Sequence, residues 1–592
     1  MKWRRGVRLL LLAAALVMAA TDLPLARSAV QSPAGTPVTI ELLVTPDLLS
    51  AAYRIAAAAR AASPGSNRRF VVAETTPSGA AAAVRSAMLS VALVSTAEVA
   101  RPEDSGGEAA GGRRVLCRVP VAIGVPAVGP RPPLGLAQAL ALVRGEPAAG
   151  LDLGLGPGKY ELMTRDSFVG AAAAGQLRPG QIAAVRLEDL SATVAALAVD
   201  GVLPEPGTAN NGGYPLSVTV SVFWAGNTLP AARRLWAALT RSELAYAADF
   251  VRWLEGPEAR TALLGVGELV SLSAVGDVML DRGVGRWIER SGPDYPFDAT
   301  RGLLANADIA VCNLESPLGT GGRQIADKAI WFRARPESGL GLVRAGIDLV
   351  CLANNHTLDY GREGLMECLD HLNRLGLTYF GAGRDLSEAR APAVVTCRGV
   401  KVAFLGYSEF ADMYWSVRDR FTFEATGDRP GVAPLRQPYQ ALHPAAVAAA
   451  NPHLADDIAA ARAVADVVVV SVHWGVEYTN EPSSFQRLAA QFILDAGADL
   501  ILGHHPHAVQ GLLPAGGGLA AFSLGNFVFD QPWPQTQESM VLQVQLSSRG
   551  VFRWDLAPVQ ISACQPRAVS GWPEGDALRA KIIGLSWNLY LP

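Results

Sequence analysis

The sequence predicts an α/β protein of two principal domains, and three observations carry the prediction. With 592 residues the chain is too long for one hydrophobic core. Between residues 37 and 268 short apolar runs alternate with helix-forming stretches, which implies a parallel or mixed sheet covered by helices. Between Ser271 and Asp530 apolar runs that read as buried strands stop abruptly at residues able to bind metal or move protons. Strand ends are where α/β proteins build sites, because a rigid sheet holds side chains contributed by variable loops.

The first stretch, 1–29, starts with Lys2, Arg4, Arg5 and Arg8, continues as an apolar run from Leu9 to Ala20, and ends near the small residues Ala26 and Ser28. The run falls short of the roughly 20 apolar residues a membrane span needs, so a signal peptide is expected, with an uncleaved N-terminal anchor as the alternative. Both predict an exported, extracytoplasmic protein, secreted or membrane-anchored at the cell surface. A formal charge of −3 gives no electrostatic case for nucleic acid as a partner. Six cysteines without CxxC spacing argue against a cysteine zinc site; Cys312 and Cys351, inside apolar runs, read as core.

In the domain from 37 to 268, strands are expected at Val38 to Val44, Phe70 to Ala73, Val91 to Val94 and Val115 to Val125. Helices are expected at Pro46 to Ala62, Gly79 to Met88 and Ala231 to Leu254, the last stopped by Gly256-Pro257. Asn210 to Leu216 reads as a turn before a strand. This order, with "ALALVRGEP" and "GGYPLSVTV" followed by "AADFVRWLEGPEARTAL", resembles the substrate-binding proteins of ABC phosphate transporters. The resemblance implies a periplasmic-binding-protein-like α/β domain that takes a small anion. Thr164 to Ser167 is the nearest counterpart of the family's anion loop, with Arg165 and Ser167 as binding candidates against an ordinary surface turn.

The second domain, 269–592, follows without a Pro- or Ser-rich linker. Its runs are Leu269 to Val275 before Gly276-Asp277, Ile309 to Cys312 before Asn313-Leu314-Glu315, and Leu349 to Ala353 before Asn354-Asn355-His356. Later come Val467 to Val472 before His473, Leu500 to Leu502 before Gly503-His504-His505-Pro506-His507, and Leu519 to Leu524 before Gly525-Asn526. Of eight histidines in the chain, these positions hold His356, His473, His504, His505 and His507. One such histidine is most simply structural, but five joined by Asp277, Glu315 and Asn355 point to a polynuclear metal site.

Divalent metals accept carboxylate, amide oxygen and neutral imidazole ligands, and two metals about 3.5 to 4 Å apart can share a bridging carboxylate. Asp277 and Glu315 supply carboxylates, Asn355 an amide oxygen, and His473, His505 and His507 ring nitrogens. His505 and His507 lie two apart, so both reach one site only if the loop bends around Pro506.

The ordered motifs "AVGDVMLDRGV", "ADIAVCNLESPL", "ANNHTLDYGREGL", "GAGRDLSEARAP", "VAFLGYS", "VSVHWGVEY", "GADLILGHHPHAVQG" and "FSLGNFVFDQ" cover nearly all of 270–532. They resemble the capsule-synthesis protein family of the CapA and PgsA type, within the calcineurin-like metallophosphoesterase superfamily. That resemblance implies a metallophosphoesterase-like α/β sandwich with one or two divalent metal ions (Mn, Zn or Fe). Asp277 would bind the first metal, Glu315 would stand where the bridging carboxylate sits, Asn355 and His473 would bind the second, and His505 and His507 would complete the pair. His356 would protonate a leaving group or stabilise an oxyanion, with Asp359 either orienting its ring or capping the next helix. Two departures from the superfamily stand out: Met279 where a histidine is usual, and Glu315 in place of an aspartate.

The family implies a part in making, exporting or anchoring poly-γ-glutamate or a similar capsular polymer. Two functions stay open: a metal-dependent hydrolase acting on an envelope phosphoester or amide, and a non-catalytic protein that binds polymer or organises a membrane synthase complex. A ligand-sensing role for the N-terminal domain is a third. Arg333 and Arg335 in "IWFRARPE", with Asn526, are the substrate-binding candidates. Trp474, Tyr478, Phe485 and Phe527 to Trp533 read as a substrate groove or as packing.

Overall fold

The structure is a computed structural model that describes residues 267–438, 443–515 and 517–589, together with short stretches between 38 and 223. The expected leader at 1–29, the helices at Gly79 to Met88 and Ala231 to Leu254, and the turn from Asn210 lie outside the described residues; the helix expected at Pro46 to Ala62 lies largely outside them. Packing groups Met1–Leu93, Ala109–Arg114 and Val222–Glu255 in one compact unit, and Val94–Glu108, Val115–Ser221 and Gly256–Pro592 in another.

In the first unit Val38–Val44 runs parallel to Arg68–Glu74, with Val38 opposite Arg68, and parallel to Ser90–Val99, with Glu41 opposite Ser90. In the second, Arg113–Pro126 pairs antiparallel with Gln181–Arg186 and Val194–Ala196. Helices Leu136–Val143 and Arg165–Ala173 accompany these strands. The surface-turn reading does not hold for Arg165 to Ser167, which start the second helix. Asp189 takes up two donors of the Arg165 fork, at 2.7 and 2.6 Å, so a partner from its own chain holds the side chain proposed for an anion.

The described C-terminal residues form two large sheets, besides a small one of Ala382–Gly383 with Gly431–Val432. One has the order Thr378–Phe380, Leu349–Cys351, Ile309–Leu314, Val270–Val278, Glu538–Ser547, Gly550–Ser562 and Gln565–Ala568, with Asn526–Val528 also paired to Val270–Val278. The other has the order Ala393–Cys397, Val400–Ser408, Val467–His473, Leu500–His504, Gly518–Ala521 and Leu512–Ala515. Their inner faces share one core: Leu272, Val311 and Leu349 of the first sheet lie in the same buried cluster as Phe404, Val469 and Leu502 of the second.

Helices cover both outer faces. Leu365 and Leu369 of Gly361–Leu375 pack with Val275, Cys312 and Val350 of the first sheet. Ile458 of Pro452–Val464 and Ile493 of Ser484–Asp495 pack with Val468 and Val470 of the second. Strands buried on both faces need the continuous apolar runs seen in the sequence, because no face is left for polar side chains. The architecture is therefore an α/β sandwich with two sheets between helical layers.

Alternation along the strands fixes what reaches the gap between the sheets. Ile309 and Val311 face inward, so Asn313 does too; Val467 and Val469 face inward and bring His473 with them; Leu500 and Leu502 do the same for His504. These strands are parallel, so their C-terminal ends open at one edge of the sandwich.

Candidate metal centre

Asp277 breaks the alternation. Val270, Leu272 and Ala274 face the inner core, so strict period-two geometry would turn residue 277 outward. The pairing with Ile309–Leu314 shifts here, from Val311 opposite Ala274 to Asn313 opposite Asp277. That extra residue is a bulge, and it turns Asp277 back into the gap. Gly276 makes the bulge possible, since a Cβ there would lie 1.9 Å from the Gly525 carbonyl oxygen. Asp277 N donates to that same oxygen at 3.0 Å.

Glu315 follows the neighbouring strand and is fully buried, yet neither carboxylate oxygen has a hydrogen-bond partner. Three ring nitrogens surround its Oε1: His473 Nε2 at 3.8 Å, His356 Nε2 at 3.9 Å and His507 Nε2 at 3.9 Å. On one side lie Asp277, whose Oδ1 is 3.3 Å from His504 Nδ1, and His507, whose Nδ1 is 3.3 Å from Asp277 Oδ2. Ligand atoms of Asp277, Glu315 and His507 fall within 4.8 Å of one another. On the other side His473 Nε2 lies 3.0 Å from Asn355 Oδ1 and 3.2 Å from His505 Nδ1. Glu315 is common to both groups.

The loop between the histidines bends as their spacing demanded. His505 has φ 96° and His507 φ 54°, both in the left-handed half of the map, on either side of Pro506. His505 N donates to Asp277 Oδ2 at 3.3 Å, while its ring turns toward His473 and packs on Phe410, 4.2 Å between centroids.

His356 completes the arrangement. Its Nδ1 lies 2.6 Å from Asp359 Oδ2, which leaves Nε2 facing Glu315. Phe332 stacks on the ring at 3.9 Å. Asp359 accepts from Phe332 N at 2.7 Å and from Lys328 Nζ, and the N-cap of helix Gly361–Leu375 is Tyr360, so the capping alternative for Asp359 falls.

Burial, with Asp277's charge added, pushes Glu315 well above the ordinary carboxylate range. Burial acts on Asp277 in the same sense, but hydrogen bonds from His504 and His507 hold it well below. Burial works to lower His507, whereas the charges of Glu315 and Asp277 raise it to about 9. Glu315 and His507 thus compete for one proton. Burial lowers His356, His473 and His505, whose neutral imidazoles have the lone pairs a metal requires.

A divalent cation fits these residues. A buried, partnerless carboxylate is the most costly kind of polar group to leave unsatisfied, and a cation between Glu315 and its neighbours would satisfy it. Asp277, Asn355, His473, His505 and His507 are the remaining donors, all buried. Met279 lies in the apolar cluster beneath the first sheet and supplies none.

The substrate candidates fare differently. Arg333 stacks on Tyr360 at 3.9 Å and donates to the Thr320 and Gly321 carbonyls at 3.0 and 3.1 Å. Arg335 is exposed and pairs with Glu289 at 2.9 Å. Asn526 does not face a ligand: its Oδ1 lies 2.8 Å from His507 Nδ1, and its Nδ2 donates to Gln531 Oε1 at 2.9 Å and to the Thr536 carbonyl at 3.0 Å. Both ends of that amide are used to hold His507. Trp474, Phe485, Phe527 and Phe529 are core, whereas Tyr478 and Trp533 are exposed and meet edge to face at 5.1 Å.

Three residues of the centre had no role from the sequence. His504 was one of the five clustered histidines but had no partner assigned. Asn313 donates to Asp277 Oδ1 at 2.8 Å, and its inward parity was readable from Ile309 and Val311. Lys328, buried against Asp359, carried one signal: the chain has five lysines among 51 basic residues, and this one sits between Ala326-Asp327 and Ala329-Ile330.

A family model described as bacterial capsule synthesis protein PGA_cap matches residues 271–531. The chain is 34% identical over 306 residues to the capsule biosynthesis protein CapA of Bacillus anthracis, covering 51% of this chain and 70% of that one. It is 33% identical over 319 residues to the PGA biosynthesis protein CapA of Bacillus subtilis (strain 168), covering 53% and 77%. The chain belongs to the bacterial capsule synthesis protein family. The range matched to that family contains every residue of the centre, from Asp277 to Asn526. Among solved structures, an ABC-type phosphate transport receptor from Vibrio cholerae aligns with TM-score 0.27 and 11% identity over 38% of this chain and 97% of its own. A hypothetical protein from Thermus thermophilus aligns with TM-score 0.29 and 16% identity over 49% and 100%.

Proposed function

We propose that this chain is an exported accessory protein of capsule synthesis whose sandwich, within 269–592, is a metal-dependent hydrolase acting on a poly-γ-glutamate-type polymer or an envelope phosphoester. The observation that carries the reading is the buried Glu315 carboxylate, partnerless and ringed by His356, His473 and His507. One or two ions of Mn, Zn or Fe would be held by Asp277, Glu315, Asn355, His473, His505 and His507. A cation there supplies Lewis acidity toward water and toward a phosphoryl or acyl oxygen.

The chain's own groups do the rest. Asp359 accepts the hydrogen bond of the His356 Nδ1 proton, so that Nε2, bare at rest, is the atom that would take up a proton and then give it to a leaving group or to a developing oxyanion. Phe332 on His356 and Phe410 on His505 shield two of the rings from water. Asn526 and Asn313 hold His507 and Asp277. The exposed pair Tyr478 and Trp533, with the Tyr478 ring 6.1 Å from that of His507, offers a surface on which a polymer can lie. In the same reading 37–268 is a substrate-binding-protein-like domain for a small anion.

One observation favours a non-catalytic role in envelope assembly, within a membrane synthase complex: Met279 gives no ligand where the superfamily has a histidine. No helix among the described residues is long and apolar enough to cross a membrane. Elemental mass spectrometry on the full-length protein separates the readings when paired with turnover assays. The hydrolase reading expects one or two equivalents of metal, lost in His473→Ala and His505→Ala, and chelator-sensitive cleavage of a phosphoester or a γ-glutamyl polymer. Protein that takes up no metal, even on reconstitution, overturns it in favour of assembly.

A further inference from the structure

We propose that Lys328 is a positioning residue of the centre, setting Asn355 and His356 together through one buried ammonium group. The inference rests on the metal-centre reading for its function, but its geometry stands independently. Lys328 Nζ donates to the backbone carbonyl of Asn355 and to Asp359 Oδ1, and lies 3.3 Å from His356 Nδ1. Behind it the cation faces the rings of Trp415 at 4.6 Å and Phe423 at 5.2 Å, so its attractive surroundings are aromatic on one side and anionic on the other.

The two acceptors lie on either side of His356 in sequence. Tying both to one point fixes the His356 backbone, while Asp359 fixes its ring. Asp359 has its oxygens divided between the two jobs: Oδ1 takes Lys328, and Oδ2 takes Phe332 N at 2.7 Å and meets His356 Nδ1 at 2.6 Å. With Nδ1 donating to Asp359, it has no lone pair for Lys328; the 3.3 Å approach is contact, not a third hydrogen bond. Lys328 therefore acts on the ring through Asp359, keeping that carboxylate in the plane and direction that select the Nδ1–H tautomer and leave Nε2 bare toward Glu315.

The residue type matters. Ammonium donors diverge from a point and can serve acceptors on different segments, whereas a guanidinium fork is planar and prefers one bidentate partner. In a chain whose basic residues are mostly arginine, a lysine stands where divergent donors are needed.

The test is 15N NMR of the full-length, histidine-labelled protein after chelation, with His356→Gln to assign the His356 signals among the eight histidines. Wild type is expected to show two well-separated ring nitrogens for His356, one protonated and one bare. In Lys328→Met the two signals should move toward a common average, and Lys328→Arg should recover only part of the separation. Where Lys328→Met does not fold, Lys328→Leu, which likewise has no donor for Asp359 or the Asn355 carbonyl, is measured in its place with the same expectation. His356 signals in either folded neutral variant that superimpose on wild type overturn the proposal. Because the measurement is made without metal, a protein that never binds metal refutes the hydrolase reading and leaves this result intact.

Discussion

Replacing Glu315 by glutamine should change stability in opposite senses with and without metal. The variant keeps the side-chain shape and removes the charge, and its amide can donate to the bare His356 Nε2, one of the three ring nitrogens that lie 3.8 to 3.9 Å from Oε1. A charged group buried without a partner costs about 1–3 kcal/mol or more, so the chelated variant should be more stable than chelated wild type by that order. At about 2–4 °C per kcal/mol for a domain of this size class, melting should rise by several degrees. With free metal at about 100 times its dissociation constant, wild type gains about 2.7 kcal/mol from binding, and the variant should lose most of that gain.

The pH dependence has a definite sign. Folded Glu315 titrates above its ordinary 4.5, so the native state keeps a proton that the unfolded chain releases. Chelated wild type then loses stability as pH rises above 4.5 and through the raised folded value, and its deficit against Glu315→Gln widens over the same window. Differential scanning calorimetry in EDTA and in excess Mn2+, across pH, reads both effects. A chelated variant less stable than wild type would refute the reasoning, because it would mean that the carboxylate already has its partners inside the protein.

Two further outcomes test the backbone. Ala563 and Cys564, at φ 52° and 65°, form the two-residue turn between Gly550–Ser562 and Gln565–Ala568, a geometry that favours glycine; Cys564→Gly should stabilise the protein by about 1 kcal/mol in a thermal melt. Gly276→Ala should cost about 3 kcal/mol or more and lower metal content together with stability, since its Cβ would force apart the strands that position Asp277.

The strands were legible because burial on both faces demands uninterrupted apolar runs, and their ends were legible because those runs stop at polar residues. Asn313, His473 and His504 follow from counting in twos along Ile309–Leu314, Val467–His473 and Leu500–His504. Asp277 defeats the same count, since a bulge leaves no mark in composition beyond Gly276, and glycine has many other uses. Asn526 was misread for a related reason: sequence shows that an amide stands at a strand end, not that Gln531 and Thr536 come back to occupy it. Lys328 lies 27 residues before Asn355 on a connection without regular strand or helix, and only the fold brings the two together.

The strained loop at His505 and His507 is the part of the centre that sequence chemistry argues against and that the proposed metal role would explain. Glycine would relieve both positive φ angles, each of which costs of order 1–3 kcal/mol for another residue, and glycine is used freely elsewhere in this chain, as at Gly475 and Gly525. Neither position has it. The strain is held by bonds on the loop itself: Tyr478 N donates to the Pro506 carbonyl at 2.7 Å, His505 N to Asp277, and Asn480 Nδ2 to the Val509 carbonyl at 2.8 Å. With φ positive at both positions, the ring of His505 turns to His473 and that of His507 to Asp277 and Glu315, two directions that an extended His-Pro-His segment would not give. A loop that needed only to connect two strands would have no reason to keep imidazoles in left-handed conformations; the proposed centre would give one, with His507 beside Asp277 and Glu315 on one side and His505 beside His473 on the other.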